Sequence, residues 1–351
     1  MLSYVLWTLP FDAVCLLAVF FQMRRIGKPI ETYRWSIQVH RADAPLASSA
    51  RLSIRRDPSL RPEDVTDVYA ETVADPFLLV DDNLTYLFFE VYNVVTEKGE
   101  IGVARSRDGE DWTYDRIALA EPFHLSYPQV FKSGSAYYMI PESVADHRVL
   151  LYRARNFPYD WEVEKVLLEG DYVDSSLFQY GGRWWMFSGS HQGTHLFLAD
   201  ALDGEWKEHP QSPILRDTMN NARPAGRVLV HEGRIYRYAQ HGEPYYGHSA
   251  YRFRITELTE QSYREEAGEL VLEGGAAPWN RAGMHHLDQQ QLDSGEWLIA
   301  ADGHSIRVTP YLKWRIRRLR LRLYVRWGGR PSRRRAIRPR SGGMGGSRAG
   351  K

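Results

Sequence analysis

Acidic, basic and imidazole side chains recur near the starts of five similar segments of this sequence. Asp75 lies in TVADPFLL, and Asp174 lies at the equivalent point of YVDSSLF. Arg223 lies in NARPAGR, and His285 and His286 lie in GMHHLD. Two carboxyl groups on either side of a cleft can act as general acid and general base in glycosidic bond cleavage. The sequence therefore predicts carbohydrate chemistry, provided that one fold brings these segments together.

Five further residues extend the candidate site. Glu90 and Glu142 each occupy the last position of a segment, at the far end of its second predicted strand. His124 and Tyr127, in EPFHLSYP, are candidates for ligand contact. Trp185 is a candidate platform for stacking on a sugar ring, although most aromatic residues of an all-β protein are ordinary strand residues.

Each candidate also has a purely structural interpretation. Asp75 and Asp174 can accept backbone N–H groups in turns, and Glu90 and Glu142 can be solvated strand ends. Arg223 can be the structural partner of an aspartate, because a buried carboxylate requires compensation. Consecutive strand residues point to opposite faces, so we expect at most one of the two adjacent histidines to face a shared site and the other to pack.

The segments are copies of one strand-turn-strand repeat, in which an aromatic residue follows the start by 11 positions. The copies are DPFLLVDDNLTYLFFE from Asp75, YPQVFKSGSAYYMIPE from Tyr127, DSSLFQYGGRWWMFSG from Asp174, AGRVLVHEGRIYRYAQ from Ala225 and HLDQQQLDSGEWLIAA from His286. Their starts recur at intervals of roughly 50 residues, a period typical of propeller blades. A short alternating strand, a polar turn and an aromatic strand are typical of a β-hairpin, and the stretches between copies supply a third and a fourth strand.

Four strands at this period predict an all-β fold, a five-bladed β-propeller. The segment Tyr33–His40 alternates as a strand and is expected to close the ring beside the last blade, which would remove an exposed edge. We therefore predict an apolar N-terminal segment over residues 1–30, the propeller over 31–306 and a basic tail over 307–351. Because the innermost strand of each blade lines the channel, polar residues at the blade starts should converge there.

The strings ADPFLL, IGVARSRDG, EPFHLSYPQVF, YYMIPES, VLLYRARNFP, YVDSSLF, WWMFSGS, ARPAGR and GMHHLD resemble the N-terminal propeller domain of glucosamine inositolphosphorylceramide transferases. The resemblance extends over about residues 70–303 and implies work on a glycan or glycolipid. In the plant transferases this domain precedes a separate glycosyltransferase domain, so the resemblance does not assign transferase chemistry to this chain.

More remotely, the ADP of the first blade is similar to glycoside hydrolase family 43. That family places a base Asp in blade one, a pKa-tuning Asp in blade three and an acid Glu in blade four. The resemblance implies these first two roles for Asp75 and Asp174, but Arg223 stands in blade four, and a guanidinium cannot donate a proton near neutral pH. Either Glu142 or another group supplies the proton, or the site binds a glycan without cleaving it. An Arg beside two Asp residues can also recognise a phosphate or carboxylate.

The charge of the chain is strongly uneven. Residues 303–351 hold 16 of the 45 Lys+Arg residues and no Asp or Glu, so the remainder is acidic, with a net charge near −15. The tail segment 307–327 interleaves cations with apolar residues and fits a helix or a strand, and either would suit an anionic membrane surface. The alternative is a disordered solubilising tail. We expect no specific nucleic-acid partner, because no recognisable binding module is present.

The remaining expectations concern compartment and cofactors. Cys15 is the only cysteine, so an intrachain disulfide and a cysteine-based zinc site are excluded. We predict no metal and no cofactor. Residues 1–23 are largely apolar but are interrupted by Pro10 and Asp12 and make a poor signal peptide. The sequence favours a cytoplasmic protein, or one peripheral to the inner face of a membrane.

Overall fold

The computed structural model describes residues 28–46, 52–81, 84–216 and 219–330. Within them the chain forms five antiparallel sheets, which are the blades of a five-bladed β-propeller, as the repeat predicts. Most of the predicted apolar segment 1–30 and the predicted tail beyond residue 330 lie outside the described residues.

Each of the first three blades is a four-stranded sheet whose strands follow one another in chain order. The strands of these blades are β2 (Ala70–Asp81), β3 (Leu84–Asn93), β4 (Lys98–Ser106) and β5 (Thr113–Leu119) in blade one; β6 (Ser126–Ser133), β7 (Ala136–Glu142), β8 (Arg148–Asn156) and β9 (Asp160–Glu169) in blade two; and β10 (Val173–Tyr180), β11 (Arg183–Ser190), β12 (Gly193–Ala199) and β13 (Lys207–Glu208) in blade three.

Blade four has six strands because its inner and outer positions are each split into two short strands. They are β14 (Asn220–Pro224), β15 (Leu229–His231), β16 (Arg234–His241), β17 (Ser249–Leu258), β18 (Tyr263–Glu265) and β19 (Glu269–Glu273). Blade five has three described strands, in the order β20 (Leu287–Gln291), β21 (Trp297–Pro310) and β1 (Pro29–Ala42).

The ring is closed by pairing the two ends of the propeller. β1 pairs antiparallel with β21 along its whole length, from Pro29 opposite Pro310 to Ala42 opposite Trp297. This confirms the predicted closure by Tyr33–His40, although both strands are longer than the sequence pattern indicated. The fourth strand expected in this blade is reduced to one bridge between Ile37 and Leu60 in the described residues.

The hydrophobic core lies between neighbouring blades. Between blades one and two, for example, Phe77 and Phe88 pack with Tyr127, Met139 and Trp161. The aromatic second strand of each repeat therefore fills the wedge between two sheets. Many of the Trp and Tyr residues therefore have a structural role in the core.

A β-bulge occurs near the start of the innermost strand in blades one to three. Asp75, Tyr127 and Asp174 stand at these bulges, with φ of 52°, 47° and 51°. Non-glycine residues rarely adopt this left-handed conformation, and a bulge redirects a side chain out of the regular alternation of a strand. The strained backbone conformation therefore occurs at the same position in three blades, and two of these positions are the predicted site residues Asp75 and Asp174. Backbone strain of this kind is often found at functional sites.

After β21 the chain forms helix α1 (Tyr311–Arg326). The sequence fitted either a helix or a strand for this segment; the structure has strand up to Pro310 and helix after it. Proline lacks the N–H that a strand ladder needs and has a φ close to that of a helix entrance, here −55°. The change from strand to helix therefore occurs at Pro310, the residue of segment 307–327 that has no backbone N–H to donate.

Candidate functional site

The bulge of blade one brings Asp75 into contact with two other blades. Its N–H donates to Oδ2 of Asp302 in blade five at 3.0 Å. Its Oδ2 accepts the N–H of Tyr127 in blade two at 3.2 Å. Residues of three blades therefore meet at Asp75, at the kind of central position that the propeller geometry predicts.

The Asp75 carboxyl is held in its protonated form to higher pH than usual. Burial raises its pKa to about 7, and the charges of Asp174 and Asp302 add to this effect, while His285 opposes it. A carboxyl with a pKa near neutrality can both accept and release a proton under physiological conditions. Asp75 therefore has the property expected of a general base or acid.

Asp174, at the equivalent bulge of blade three, is balanced by two partners from blade four. The Nε of Arg223 donates to its Oδ2, and Nε2 of Gln240 donates to the same oxygen at 3.0 Å. The carboxylate is buried, whereas about a third of the Arg223 side chain is exposed. The structure thus brings Asp174 and Arg223 together as an ion pair in which only the Arg223 side chain is partly exposed to solvent.

Two glutamates in second strands, Glu90 near the end of β3 and Glu142 at the end of β7, differ in their surroundings. Glu142 accepts hydrogen bonds from Ser126 Oγ and from the N–H of Val144, both at 2.8 Å. Glu90 has His124 Nε2 at 3.6 Å from its Oε1, and no hydrogen bond reaches its carboxyl within the described part of the chain. Burial and neighbouring carboxylates raise both pKa values, and that of Glu90 is raised well above its ordinary range.

The adjacent histidines both approach Asp75. His285 Nε2 and His286 Nδ1 lie 3.7 and 3.8 Å from Asp75 Oδ1. We expected at most one of them to face the site and the other to pack, and this stays a prediction; His286 is fully buried and packs edge-on against Phe77 and Tyr127. His286 Nε2 also contacts the carbonyl of Pro76 at 3.0 Å, and burial lowers the pKa of His286 to about 4.

His285 is the centre of a chain of three side chains. Its Nδ1 lies 2.9 Å from Oδ1 of Asp302, and its Nε2 lies 2.9 Å from the hydroxyl of Tyr246. Burial alone would lower the pKa of His285, but the Asp302 carboxylate outweighs it and raises the pKa. Tyr246 is 45% exposed, so this buried Asp–His pair is connected to a residue that is partly open to solvent.

The two predicted aromatic residues, Tyr127 and Trp185, are buried in the hydrophobic core. Tyr127 is fully buried, and its hydroxyl lies 2.7 Å from Ser176 Oγ and accepts the N–H of Gly226 at 2.6 Å. It therefore links blades two, three and four beneath the site. Trp185 packs in the core between blades three and four and donates to the carbonyl of Tyr180. The structure does not bring Trp185 to the funnel, because its ring faces are covered by core residues.

The sequence pattern missed Asp302 and Tyr246. Asp302 directly follows the last residue of the fifth copy, and Glu90 and Glu142 are the last residues of theirs, so the repeat contained a signal for it. Tyr246 lies between β16 and β17 in HGEPYYGH, which has no counterpart in the other copies. No spacing in the sequence indicates it.

Asp75, His285 and Asp302 offer ligand atoms within 4.8 Å of one another, close enough to hold a metal ion. However, Asp302 Oδ1 accepts the N–H groups of His285 and His286, and its Oδ2 accepts that of Asp75. A cation would have to compete with all of these hydrogen bonds. The donor set therefore fits a hydrogen-bonded network better than a metal site.

The propeller fold of this chain is similar to that of solved glycoside hydrolases. A putative glycoside hydrolase from Bacteroides ovatus superposes with a TM-score of 0.51 at 12% identity, over 71% of this chain and 88% of that chain. A glycosyl hydrolase from the same species gives 0.52 at 9% identity, over 70% and 86%. At these identities the likeness shows the fold alone.

The family model described as glucosamine inositolphosphorylceramide transferase 1, N-terminal, matches residues 56–304, and the chain belongs to this family. It is 41% identical over 247 residues to glucosamine inositolphosphorylceramide transferase 1 of Oryza sativa subsp. japonica, and 36% identical to that of Arabidopsis thaliana. Each match covers 67% of this chain and 33% or 32% of the relative. The chain thus spans about a third of the length of these curated relatives. Family and fold together give it a carbohydrate-related role.

Proposed function

We propose that this chain acts on a glycosidic bond of a glycan or glycoconjugate by acid–base catalysis in the funnel. The observation that carries the proposal is the pair Asp75 and Glu90. Ala74 pairs with Glu90, so the two carboxyls come from neighbouring strands at the bulge of blade one. Their environments raise both pKa values, to about 7 for Asp75 and well above the ordinary range for Glu90, so both carboxyls are suited to proton transfer near neutral pH.

In this proposal the protonated Glu90 carboxyl donates a proton to the leaving glycosidic oxygen, and Asp75 accepts one from the attacking water or hydroxyl. Glu90 fits the acid role better than Glu142, for which the sequence argued, because both Glu142 oxygens already accept hydrogen bonds. The Asp174 carboxylate acts on this pair through its charge, which raises the pKa of Asp75 and of Glu90.

Ligand binding is assigned to the partly exposed side chains around the pair. Arg223 offers a guanidinium, which recognises phosphate or carboxylate groups, and the names of the curated relatives include a phosphorylated inositol lipid and glucosamine. Tyr246 and His124 offer further polar contacts. The Asp302–His285 pair orients the Tyr246 hydroxyl and can exchange a proton with it.

The test is turnover of a panel of aryl glycosides and of glucosamine-containing inositol phosphates, followed by mass spectrometry of the products. The proposal expects cleavage or transfer by the wild type, and at least a hundredfold lower kcat/KM in Glu90→Gln and in Asp75→Asn. Glu232→Gln, in an exposed turn, is the matched control and should retain full activity. Full turnover by Glu90→Gln would refute the assigned acid.

A second candidate is a non-catalytic glycan-binding or scaffolding role in envelope glycan or glycolipid biosynthesis. The observation in its favour is Arg223, a cation that pairs with Asp174 from the blade where the family 43 pattern has a proton donor. Calorimetric titration with the same glycans separates the two. Binding that Arg223→Ala weakens, with no turnover by the wild type, would favour this role over catalysis.

A further inference from the structure

Helix α1 is attached to the propeller by one face. The guanidinium of Arg318 pairs with Glu71 and Glu97, and Arg322 also pairs with Glu97. Arg318 lies 4.4 Å from the centroid of the Trp314 ring, which faces the same way. The face of α1 that contains Trp314, Arg318 and Arg322 therefore has its partners on blade one.

The opposite face of the helix is apolar and open to solvent. Its residues recur at intervals of three and four, which places them in one stripe on a helix. They are Leu312, Ile316, Leu319, Leu323 and Trp327. Leu319 is 57% exposed, and Trp327, directly after the helix, is 86% exposed. A stripe of large apolar side chains on a surface helix indicates a binding surface, because scattered single residues would not align in this way.

Cations border this stripe on both sides. On a helical wheel Arg315 and Arg326 flank one edge, and Lys313 and Arg320 flank the other. The helix has seven Lys and Arg residues and no Asp or Glu. An apolar stripe between two rows of cations is the pattern of a helix that lies in the interface of an anionic bilayer, where Arg and Lys reach the headgroups while leucines enter the acyl boundary.

The helix lies at the end of the propeller where the funnel residues lie. Glu71 is near the start of β2, four residues before Asp75. Glu97 lies just after β3, which has Glu90 near its end. Because Arg318 pairs with both glutamates, α1 lies beside this end of blade one. We call the end of the propeller that contains Asp75 and Glu90 the site end.

We propose that α1 is a docking surface for an anionic lipid bilayer and holds the site end of the propeller next to the membrane. Within the described parts of the chain, no helix has the length and apolarity to cross a bilayer. The proposal concerns binding in the plane of the interface, driven by the stripe and by the surrounding cations. It does not depend on the chemistry of the funnel.

Flotation of the full-length chain with vesicles tests the proposal. Phosphatidylcholine vesicles in which about a third of the lipid is phosphatidylglycerol should bind the protein, and pure phosphatidylcholine should bind it at least tenfold more weakly. Arg315→Gln combined with Arg320→Gln should lower partitioning roughly 30-fold, at about 1 kcal/mol per cation and tenfold per 1.4 kcal/mol. The matched control is Arg107→Gln, an exposed cation between β4 and β5.

The apolar contribution is tested by Leu319→Glu combined with Leu323→Glu. The control is Val163→Glu, a 47% exposed residue on β9. Circular dichroism melting of each variant shows that the propeller is folded. The proposal expects at least tenfold weaker binding in the helix variant only. Equal binding by the helix variant and the wild type, or equal binding to neutral and anionic vesicles, would overturn it.

Discussion

Arg223 and Asp174 form an ion pair between blades four and three at the funnel, with the carboxylate buried and the guanidinium partly exposed. The pair stands where two inner strands begin, so it joins the walls of the site as well as balancing charge. Asp174 has one other hydrogen-bonding side chain on the same oxygen, Gln240. Arg223 therefore supplies the positive charge beside this carboxylate, and Gln240 adds an uncharged hydrogen bond.

Arg223→Ala should lower the free energy of unfolding by about 2–3 kcal/mol. Removal of one partner of a buried pair typically costs about 3–5 kcal/mol, and the partial exposure of Arg223 reduces this. Urea unfolding measures the loss, and Asp174→Asn in the same chain should restore much of it. The surface pair of Arg153 with Glu164 is the control: Arg153→Ala should cost under about 1 kcal/mol. Equal losses in both variants would contradict the prediction.

Asp75→Asn should stabilise the protein above pH 7. The folded-state pKa of Asp75 is about 7, above its ordinary value of 3.8, so the stability of the wild type falls as the pH rises between these two values. The gain at pH 8 should be about 2–4 kcal/mol, from about 1.36 kcal/mol per unit, and it should vanish near pH 4. Urea unfolding of wild type, Asp75→Asn and the exposed control Asp293→Asn at both pH values provides the test. A variant less stable than wild type at pH 8 would refute it.

The repeat accounts for how much of this site could be predicted. The repeat period predicted the number of blades. The positions at the blade starts predicted Asp75, Asp174 and Arg223 as site residues, because propeller symmetry brings these positions together. The contrast between Glu90 and Glu142 depends on hydrogen bonds from Ser126 and Val144, which a strand pattern does not encode. Tyr246 lies in an irregular loop, and no pattern in the sequence predicts the contact of its hydroxyl with His285.

Asp302→Asn should destabilise the protein most between about pH 4 and pH 6.5. The pKa of Asp302 is lowered in the folded state, so its contribution to the free energy of unfolding is present above about pH 3.8. The pKa of His285 is raised, so its contribution to the free energy of unfolding is present below about pH 6.5 and is lost as the pH rises through the folded-state pKa. Asparagine cannot accept N–H groups on both sides, so one buried donor loses its partner, at about 1–3 kcal/mol. NMR titration should also show a lower pKa for His285. An unchanged His285 pKa would contradict the ion pair.

Tyr127→Phe should cost about 1–3 kcal/mol, because the N–H of Gly226 loses its acceptor in a fully buried position. Asp75 keeps its hydrogen bond from the backbone N–H of residue 127, so ligand affinity should change little in the folded variant. Thermal unfolding and glycan titration are measured together. Tyr180→Phe, on an exposed side chain, is the control and should be near neutral. A large loss of affinity at unchanged stability would instead make Tyr127 a ligand contact, as the sequence suggested.

Arg318→Ala should release α1 from blade one while the propeller stays folded. The side chain of Arg318 is nearly buried and pairs with Glu71 and Glu97, so its removal leaves both glutamates without this partner. Two partly exposed ion pairs contribute about 1–2 kcal/mol to the free energy that holds α1 on blade one. The backbone amides of α1 should therefore exchange roughly tenfold faster in the variant than in the wild type, as measured by hydrogen–deuterium exchange. Arg320→Ala, on the outward side of the same helix, removes the same charge and should leave exchange unchanged. Equal acceleration in the two variants would show that helix propensity, rather than docking by Arg318, determines the protection of α1.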